Sequence, residues 1–192
     1  MFARNFACVA IAAFGFALPA HAAVSLNEAA GRYAIGQTNS AIRFSIGKVG
    51  GGGLKGVFAH FKGSIRIDNS DVGRSAVDIT IFPESVSTGQ PRIDDFLRSD
   101  AVFDTARESE IQFHSTNVKR TSDTSALVSG RLTARGRTFP EKFIAELQVL
   151  KGGSITFHVT GKVLRSRYGM DVGTPIYSNV VDFDMTLSGQ RG

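Results

Sequence analysis

The sequence predicts an all-β fold, an antiparallel eight-stranded β-barrel with one or two short helices. Apolar and polar residues alternate with a period of two along most of the chain, as in strands with one buried and one wet face. Several alternating stretches are long, which favours a closed barrel over a sandwich. Glycines stand inside strand patterns at Gly56, Gly63, Gly130 and Gly161, where bulges or sharp barrel bends would use them.

Residues 1–22 form a predicted secretory signal peptide. Arg4 supplies a positive start, 6–18 is apolar without a charge, and 20–22 reads Ala-His-Ala, a small-x-small cleavage site. The apolar stretch is too short to span a membrane, which needs about 20 residues. Cleavage removes the only cysteine and lowers the formal net charge from +5 to +4. We expect one domain over 23–192, exported to an oxidising compartment, where a stray thiol is a liability.

Composition narrows the class of protein. The chain is 42% hydrophobic and 20% charged, which argues against intrinsic disorder. Its one cysteine rules out an internal disulfide. The basic excess is spread along the chain, without a run of five like charges or an arginine-rich stretch among aromatics. No nucleic-acid partner is therefore expected.

The alternation locates the strands in order. Ile42, Phe44 and Ile46 form one apolar register, and similar registers recur to the end of the chain. Strand patterns run over 32–35, 41–46, 54–68, 77–81, 111–114, 126–134, 142–149, 154–163 and 174–188. Two of these, 54–68 and 174–188, reach about 15 residues, whereas the commonest strand has about five or six.

One segment has a helical period instead. Ile93, Phe96 and Leu97 are spaced as on one face of a helix over 91–98, with a proline at its start. A second short helix or turn is predicted at 166–172. The glycine run 50–53 lacks the following Lys-Ser or Lys-Thr of a phosphate loop, so it is expected to be a flexible loop or a strand distortion.

No catalytic motif stands out. The chain lacks Gly-x-Ser-x-Gly and His-Glu-x-x-His sequences, and its mature part has three histidines, His60, His114 and His158, on separate predicted strands. Three imidazoles suffice for zinc, but His114 and His158 alternate with phenylalanines and should point outward. The prediction is a protein that is not an enzyme, with no catalytic and no metal-binding residue. A metal-dependent enzyme is the weaker alternative.

The predicted interior leaves two alternatives open. The inward registers are rich in phenylalanine, at Phe44, Phe58, Phe113, Phe143, Phe157 and Phe183. A barrel with an apolar inner face either fills itself with side chains or encloses an apolar ligand. Composition alone does not decide between a packed core and a cavity.

Five sequence blocks in fixed order resemble the YceI family of exported bacterial lipid-binding proteins. They are Tyr33-Ala-Ile-Gly with Ser40 to Phe44, Leu54 to Gly63, Phe96 to Asp104 with Ile111 to Ser115, Gly130 to Thr138, and Arg165 to Met170. Together they cover essentially all of 32–189. The resemblance implies an elongated, lipocalin-like barrel holding a polyisoprenoid or an isoprenoid quinone as a periplasmic carrier or sequestering protein.

The resemblance also directs attention to the lining. We expect the lipid tail to contact Phe44, Phe58, Phe113, Phe157 and Phe183, with Phe96 and Phe103 capping or gating one end. Arg43, Arg165 and Arg167 are weaker candidates for contact with a lipid head group. No cofactor is expected beyond a bound isoprenoid lipid or quinone. A transient contact with the inner membrane and a homodimer are compatible with this interpretation. The alternative is a ligand-free periplasmic barrel that binds a partner or acts in stress.

Overall fold

A computed structural model describes residues 24–192, and the predicted signal peptide lies outside the described residues. The strands are β1 (Gly31–Ile35), β2 (Ala41–Gly47), β3 (Gly53–Phe58), β4 (Phe61–Ile67), β5 (Ala76–Ile81), β6 (Val86–Ser87), β7 (Ile111–Arg120), β8 (Ser125–Ala134), β9 (Arg137–Lys151), β10 (Ser154–Leu164) and β11 (Val180–Arg191). Within the described residues, one α-helix, α1 (Pro91–Arg98), and three short 3-10 helices (Val72–Arg74, Pro83–Ser85 and Arg165–Tyr168) accompany them.

The strands close into an antiparallel barrel. The order is β1-β4-β5-β7-β8-β9-β10-β11, and β11 pairs back onto β1 through Tyr33 opposite Arg191. The strands β2, β3 and β6 extend the barrel beyond β1, β4 and β5. We call each full-length wall element of the barrel a stave. Three of the eight staves therefore consist of two strands each: β1 with β2, β4 with β3, and β5 with β6. The predicted eight-stranded antiparallel barrel is confirmed.

The predicted strand over 54–68 is broken where its apolar phase shifts. Phe58 and Phe61 are both buried, although residues three apart would face opposite sides of an unbroken strand. The shift occurs at Ala59 and His60, whose backbone N–H groups donate to the Ser85 carbonyl and the Ser85 hydroxyl, at 3.2 Å and 2.9 Å. One stave thus bends without leaving these amides unpaired.

The last strand is shorter than its sequence pattern. It begins at Val180 rather than at 174, because 174–179 forms a loop. Pro175 has no N–H for a ladder, and the Tyr177 N–H donates instead to the Gly173 carbonyl at 2.9 Å. The predicted turn at 166–172 contains the end of a 3-10 helix that closes at Gly169, with φ of 72°.

Helix α1 occupies the predicted range, packs beside β6 and borders the barrel interior through Ile93, Phe96 and Leu97. Pro91 is at its first turn and Leu97 is buried. Asp94 accepts hydrogen bonds from the Thr88 hydroxyl at 2.6 Å and the Thr88 backbone N–H at 2.7 Å. These bonds lower the pKa of Asp94 and fix the segment that leads into the helix.

Glycines inside the strands receive aromatic rings from the neighbouring strand. A Cβ on Gly161 would lie 2.3 Å from the Phe143 ring. The same test gives 2.5 Å between Gly56 and the Phe44 ring, and 2.4 Å between Gly130 and the Phe113 ring. These glycines therefore allow close approach, and each ring lies against the barrel wall. A β-bulge also occurs opposite Gly130, between Ser115 and Asn117.

The end of the barrel near the N-terminal segment is closed. Leu26 and Ala29 are buried, and the Leu26 N–H donates to the Asp123 carbonyl at 2.9 Å. The Tyr33 hydroxyl donates to the Ala29 carbonyl at 2.9 Å and itself accepts from Arg191 at 2.9 Å. These contacts fasten the segment 24–30 under the barrel.

Substituting Gly161 tests whether aromatic rings need the space above glycine. We expect Gly161→Ala to lower the free energy of unfolding by about 1–3 kcal/mol, because the new Cβ overpacks against Phe143. Gly36→Ala is the control, since a Cβ there meets nothing within 4 Å. Urea denaturation of both variants and the parent measures the difference. Equal stability of the two variants would contradict this account.

Candidate ligand cavity

The barrel contains an apolar cavity of about 330 Å³. Its lining reaches from Leu26 and Val72 at the closed end to Ile46 and Val172 at the other end, so the cavity follows the barrel axis. Among the 38 lining residues in the described part of the chain, only Ser75, Arg165, Tyr168 and Tyr177 carry a side-chain oxygen or nitrogen. The volume lies in the range of sites for small organic ligands.

All seven phenylalanines predicted to line the interior border this cavity: Phe44, Phe58, Phe96, Phe103, Phe113, Phe157 and Phe183. Their contact with a ligand stays a prediction. The structure brings several together, with ring centroids 5.2 Å apart for Phe44 and Phe58, and 5.6 Å apart for Phe58 and Phe103. Phe96 is 46% exposed at the open end, whereas Phe58 is buried.

Several residues that line the cavity lie outside the predicted site. Phe143 links two predicted rings, with its centroid 5.2 Å from Phe113 and 6.3 Å from Phe183. Most of the remaining wall is aliphatic, with Ile65, Ile79, Ile81, Val128, Leu132, Val159, Val163 and Leu187 among its members. Their inward register was visible in the alternation. A predicted site limited to phenylalanine omitted them.

A guanidinium lies at the open end of the cavity. Arg165 is 7% exposed and donates hydrogen bonds to the carbonyls of Val172 at 2.8 Å, Ser178 at 2.9 Å and Tyr177 at 3.3 Å, and to that of Met170. Burial lowers the pKa of Arg165, and the charge of Asp171 opposes this. The side chain therefore holds the loop that precedes β11, and most of its N–H groups are already used.

A second polar cluster lies beside it. The buried Tyr168 hydroxyl donates to Glu141 Oε1 at 3.0 Å, and Arg167 approaches the same oxygen at 3.7 Å. Burial raises the pKa of the Glu141 carboxyl, which the Tyr168 hydrogen bond and the Arg167 charge oppose. The Tyr168 ring stands edge-on to Phe139 with centroids 5.4 Å apart. This cluster anchors the 3-10 helix to β9.

The structure does not bring the three histidines together. His114 pairs with Asp78 on the outer wall, and His158 pairs with Asp184 at 3.3 Å. Among residues 24–192, no group of three or more His, Cys, Asp or Glu side chains is arranged to hold a metal ion. In the same residues, no helix has the length and apolar character needed to cross a bilayer.

Of the arginines considered for a head group, Arg43 is exposed on the outer wall, opposite Asp184 in the β2–β11 ladder. Arg167 contacts Glu141 at the barrel end. Only Arg165 borders the cavity.

Comparison with known proteins identifies relatives. The family model described as YceI-like domain matches residues 33–189. A UPF0312 protein from Serratia proteamaculans is 29% identical over 155 residues, covering 78% of this chain and 80% of its own. Protein YceI from Escherichia coli is 28% identical over 153 residues, covering 77% and 80%.

Solved structures share the barrel. Burkholderia cenocepacia BcnA superposes with a TM-score of 0.74 at 18% identity, covering 80% of this chain and 98% of its own. A polyisoprenoid binding domain from Saccharophagus degradans gives 0.67 at 18% identity, covering 83% and 98%. At these identities the likeness shows the fold. Together with the match over 33–189, it shows that the chain belongs to the family of YceI-like domain proteins.

Proposed function

We propose that this protein binds a long apolar lipid, a polyisoprenoid or an isoprenoid quinone, inside its barrel, as a periplasmic carrier or sequestering protein. The observation that carries the proposal is the cavity of about 330 Å³ with an almost wholly apolar lining. The relative from Saccharophagus degradans, described as a polyisoprenoid binding domain, supports the chemical class of the ligand.

The cavity suits an isoprenoid tail on energetic grounds. The tail has no hydrogen-bonding groups, so a wall with almost no polar side chains leaves few polar groups without a partner when it encloses the tail. Each Å² of tail surface removed from water contributes about 25 cal/mol, from which the cost of ordering the tail is subtracted. Phenylalanine rings offer large contact areas with few rotamers, so the wall is ordered before the lipid enters.

Export is part of the proposal. The predicted signal peptide over 1–22 and the cysteine-free remainder support a periplasmic location. A lipid tail is insoluble in the aqueous periplasm, which favours transient contact with the inner membrane during loading or release. The proposal assigns no catalytic step to the chain. A homodimer is compatible with this proposal and stays an untested prediction.

A ligand-free barrel that binds a partner is the competing function. It would be expected to fill its own interior, because apolar side chains gain dispersion contacts by packing together. Here the aromatic rings lie over glycines instead, and a continuous apolar volume remains between the two ends. The cavity therefore favours lipid binding over this alternative.

Native mass spectrometry tests the presence of a lipid directly. We expect the mature protein, purified from its own periplasm, to carry extra mass equal to one isoprenoid lipid. Organic extraction should release that mass, and the extracted protein should take up a fluorescent isoprenoid. A clean polypeptide mass together with no uptake would refute the proposal.

A bulky substitution in the cavity tests where the lipid binds. Ala145 and Ile144 are neighbours on β9, but Ala145 borders the cavity and Ile144 is 54% exposed on the outer wall. We expect Ala145→Phe to weaken isoprenoid uptake about tenfold or more by filling lumen space, and Ile144→Phe to leave it unchanged. Fluorescence titration measures both, with circular dichroism confirming the fold. Equal affinities would place the lipid elsewhere.

A further inference from the structure

Exposed apolar side chains concentrate at the open end of the barrel. Val49 is 75% exposed, Ile176 58%, Val172 47%, Phe96 46% and Tyr177 37%. They account for five of the eight large hydrophobic side chains that are exposed among residues 24–192. We call this set the apolar rim; it lies on the β2–β3 loop, the loop before β11, and helix α1.

The two loops of the apolar rim are joined by backbone hydrogen bonds. The Val49 N–H donates to the Ile176 carbonyl at 2.9 Å, and the Ser178 N–H donates to the Gly47 carbonyl at 2.8 Å. Arg165, which borders the cavity, donates to carbonyls of the loop before β11, including that of Val172 at 2.8 Å. The backbone of these loops is thus held by internal bonds while its apolar side chains face outward. Because its backbone polar groups are already hydrogen-bonded within the protein, such a surface enters an apolar medium at a low free-energy cost.

The apolar rim continues into the cavity. Phe96, Val172 and Tyr177 are partly exposed and also line the cavity. An apolar path therefore leads from the lumen to the outside at this end, whereas Leu26 and Ala29 close the other. A tail leaving along this path meets the surrounding medium at the apolar rim.

Cationic groups flank the apolar rim. Lys48 adjoins Val49, and Arg92 precedes Phe96 by one helical turn. Neither forms a salt bridge among residues 24–192, whereas Asp95 of the same helix is paired with Arg98 at 3.2 Å. The loop before β11 contains one acidic residue, Asp171, and its charge acts on buried Arg165. Aliphatic and aromatic side chains beside unpaired cations are typical of surfaces that enter anionic membrane interfaces.

We propose that the apolar rim docks on the surface of an anionic lipid bilayer, with Val49 and Ile176 inserted among the acyl chains and Lys48 and Arg92 at the phosphates. This inference rests on the proposed function, because docking serves lipid transfer only if the cavity binds a lipid. In the docked orientation, the open end of the cavity faces the membrane. A lipid then exchanges between bilayer and lumen without crossing water.

Vesicle flotation with the mature protein tests docking separately from lipid uptake. The vesicles are phosphatidylcholine with or without phosphatidylglycerol. We expect the parent to float with the anionic vesicles and Val49→Ser/Ile176→Ser to bind them about tenfold or more weakly. The matched control is Ile144→Ser/Val149→Ser, which removes two exposed apolar side chains from the outer wall, 54% and 44% exposed, and should bind like the parent. Lys48→Gln/Arg92→Gln should weaken binding to anionic vesicles alone.

The outcomes separate docking from lipid binding. Isoprenoid uptake from detergent should be unchanged in Val49→Ser/Ile176→Ser, because neither residue lines the cavity. Vesicle binding without uptake in the parent would overturn the proposed function and leave docking in place. Docking is overturned if the parent does not float, if the outer-wall control weakens binding equally, or if sedimentation shows that the apolar rim instead joins two copies of the chain.

Discussion

The structure depends on keeping an apolar lumen open inside a closed sheet. Eight staves turn one apolar face inward, and the hydrophobic effect alone would draw those side chains together until the space was filled. The pairing of phenylalanine with glycine on the next strand opposes this. The rings of Phe44 and Phe143 lie over Gly56 and Gly161, so large side chains cover the wall without crossing the barrel. The cavity and the two-ended shape follow from that arrangement.

The two ends of the barrel then acquire different characters. At one end, Leu26 and Ala29 are buried under a network that includes Tyr33 and Arg191. At the other, the polar groups are already hydrogen-bonded within the protein, since Arg165 donates to loop carbonyls and the Tyr168 hydroxyl donates to the Glu141 carboxylate. This leaves apolar side chains to form the exposed surface around the opening. One end stabilises the fold, and the other connects the cavity with the surroundings.

Alternation of apolar and polar residues made most of this predictable. Because a strand places every second side chain inside, the register of Phe113 or Phe157 could be assigned from neighbours alone. Features that depend on contacts between residues distant in the sequence could not be predicted in this way. The break at Ala59 and His60 depends on Ser85 in another stave, and the volume of the lumen depends on ring positions over glycines. The role of Arg165 depends on carbonyls up to 13 residues away in a loop without periodicity.

The placement of Arg165 bears on how a lipid would be selected. Among residues 24–192, its guanidinium is the one charged group that borders the cavity, and loop carbonyls already accept most of its N–H bonds. An anionic head group would have to displace those bonds and release the loop. The remaining wall is almost wholly apolar, so its shape and area select lipid tails by length and width. Within the described part of the chain, it has no charged group that would distinguish one head group from another. Selection by the tail is therefore the mode that this cavity supports, and it unites polyisoprenoids and isoprenoid quinones as one class of ligand.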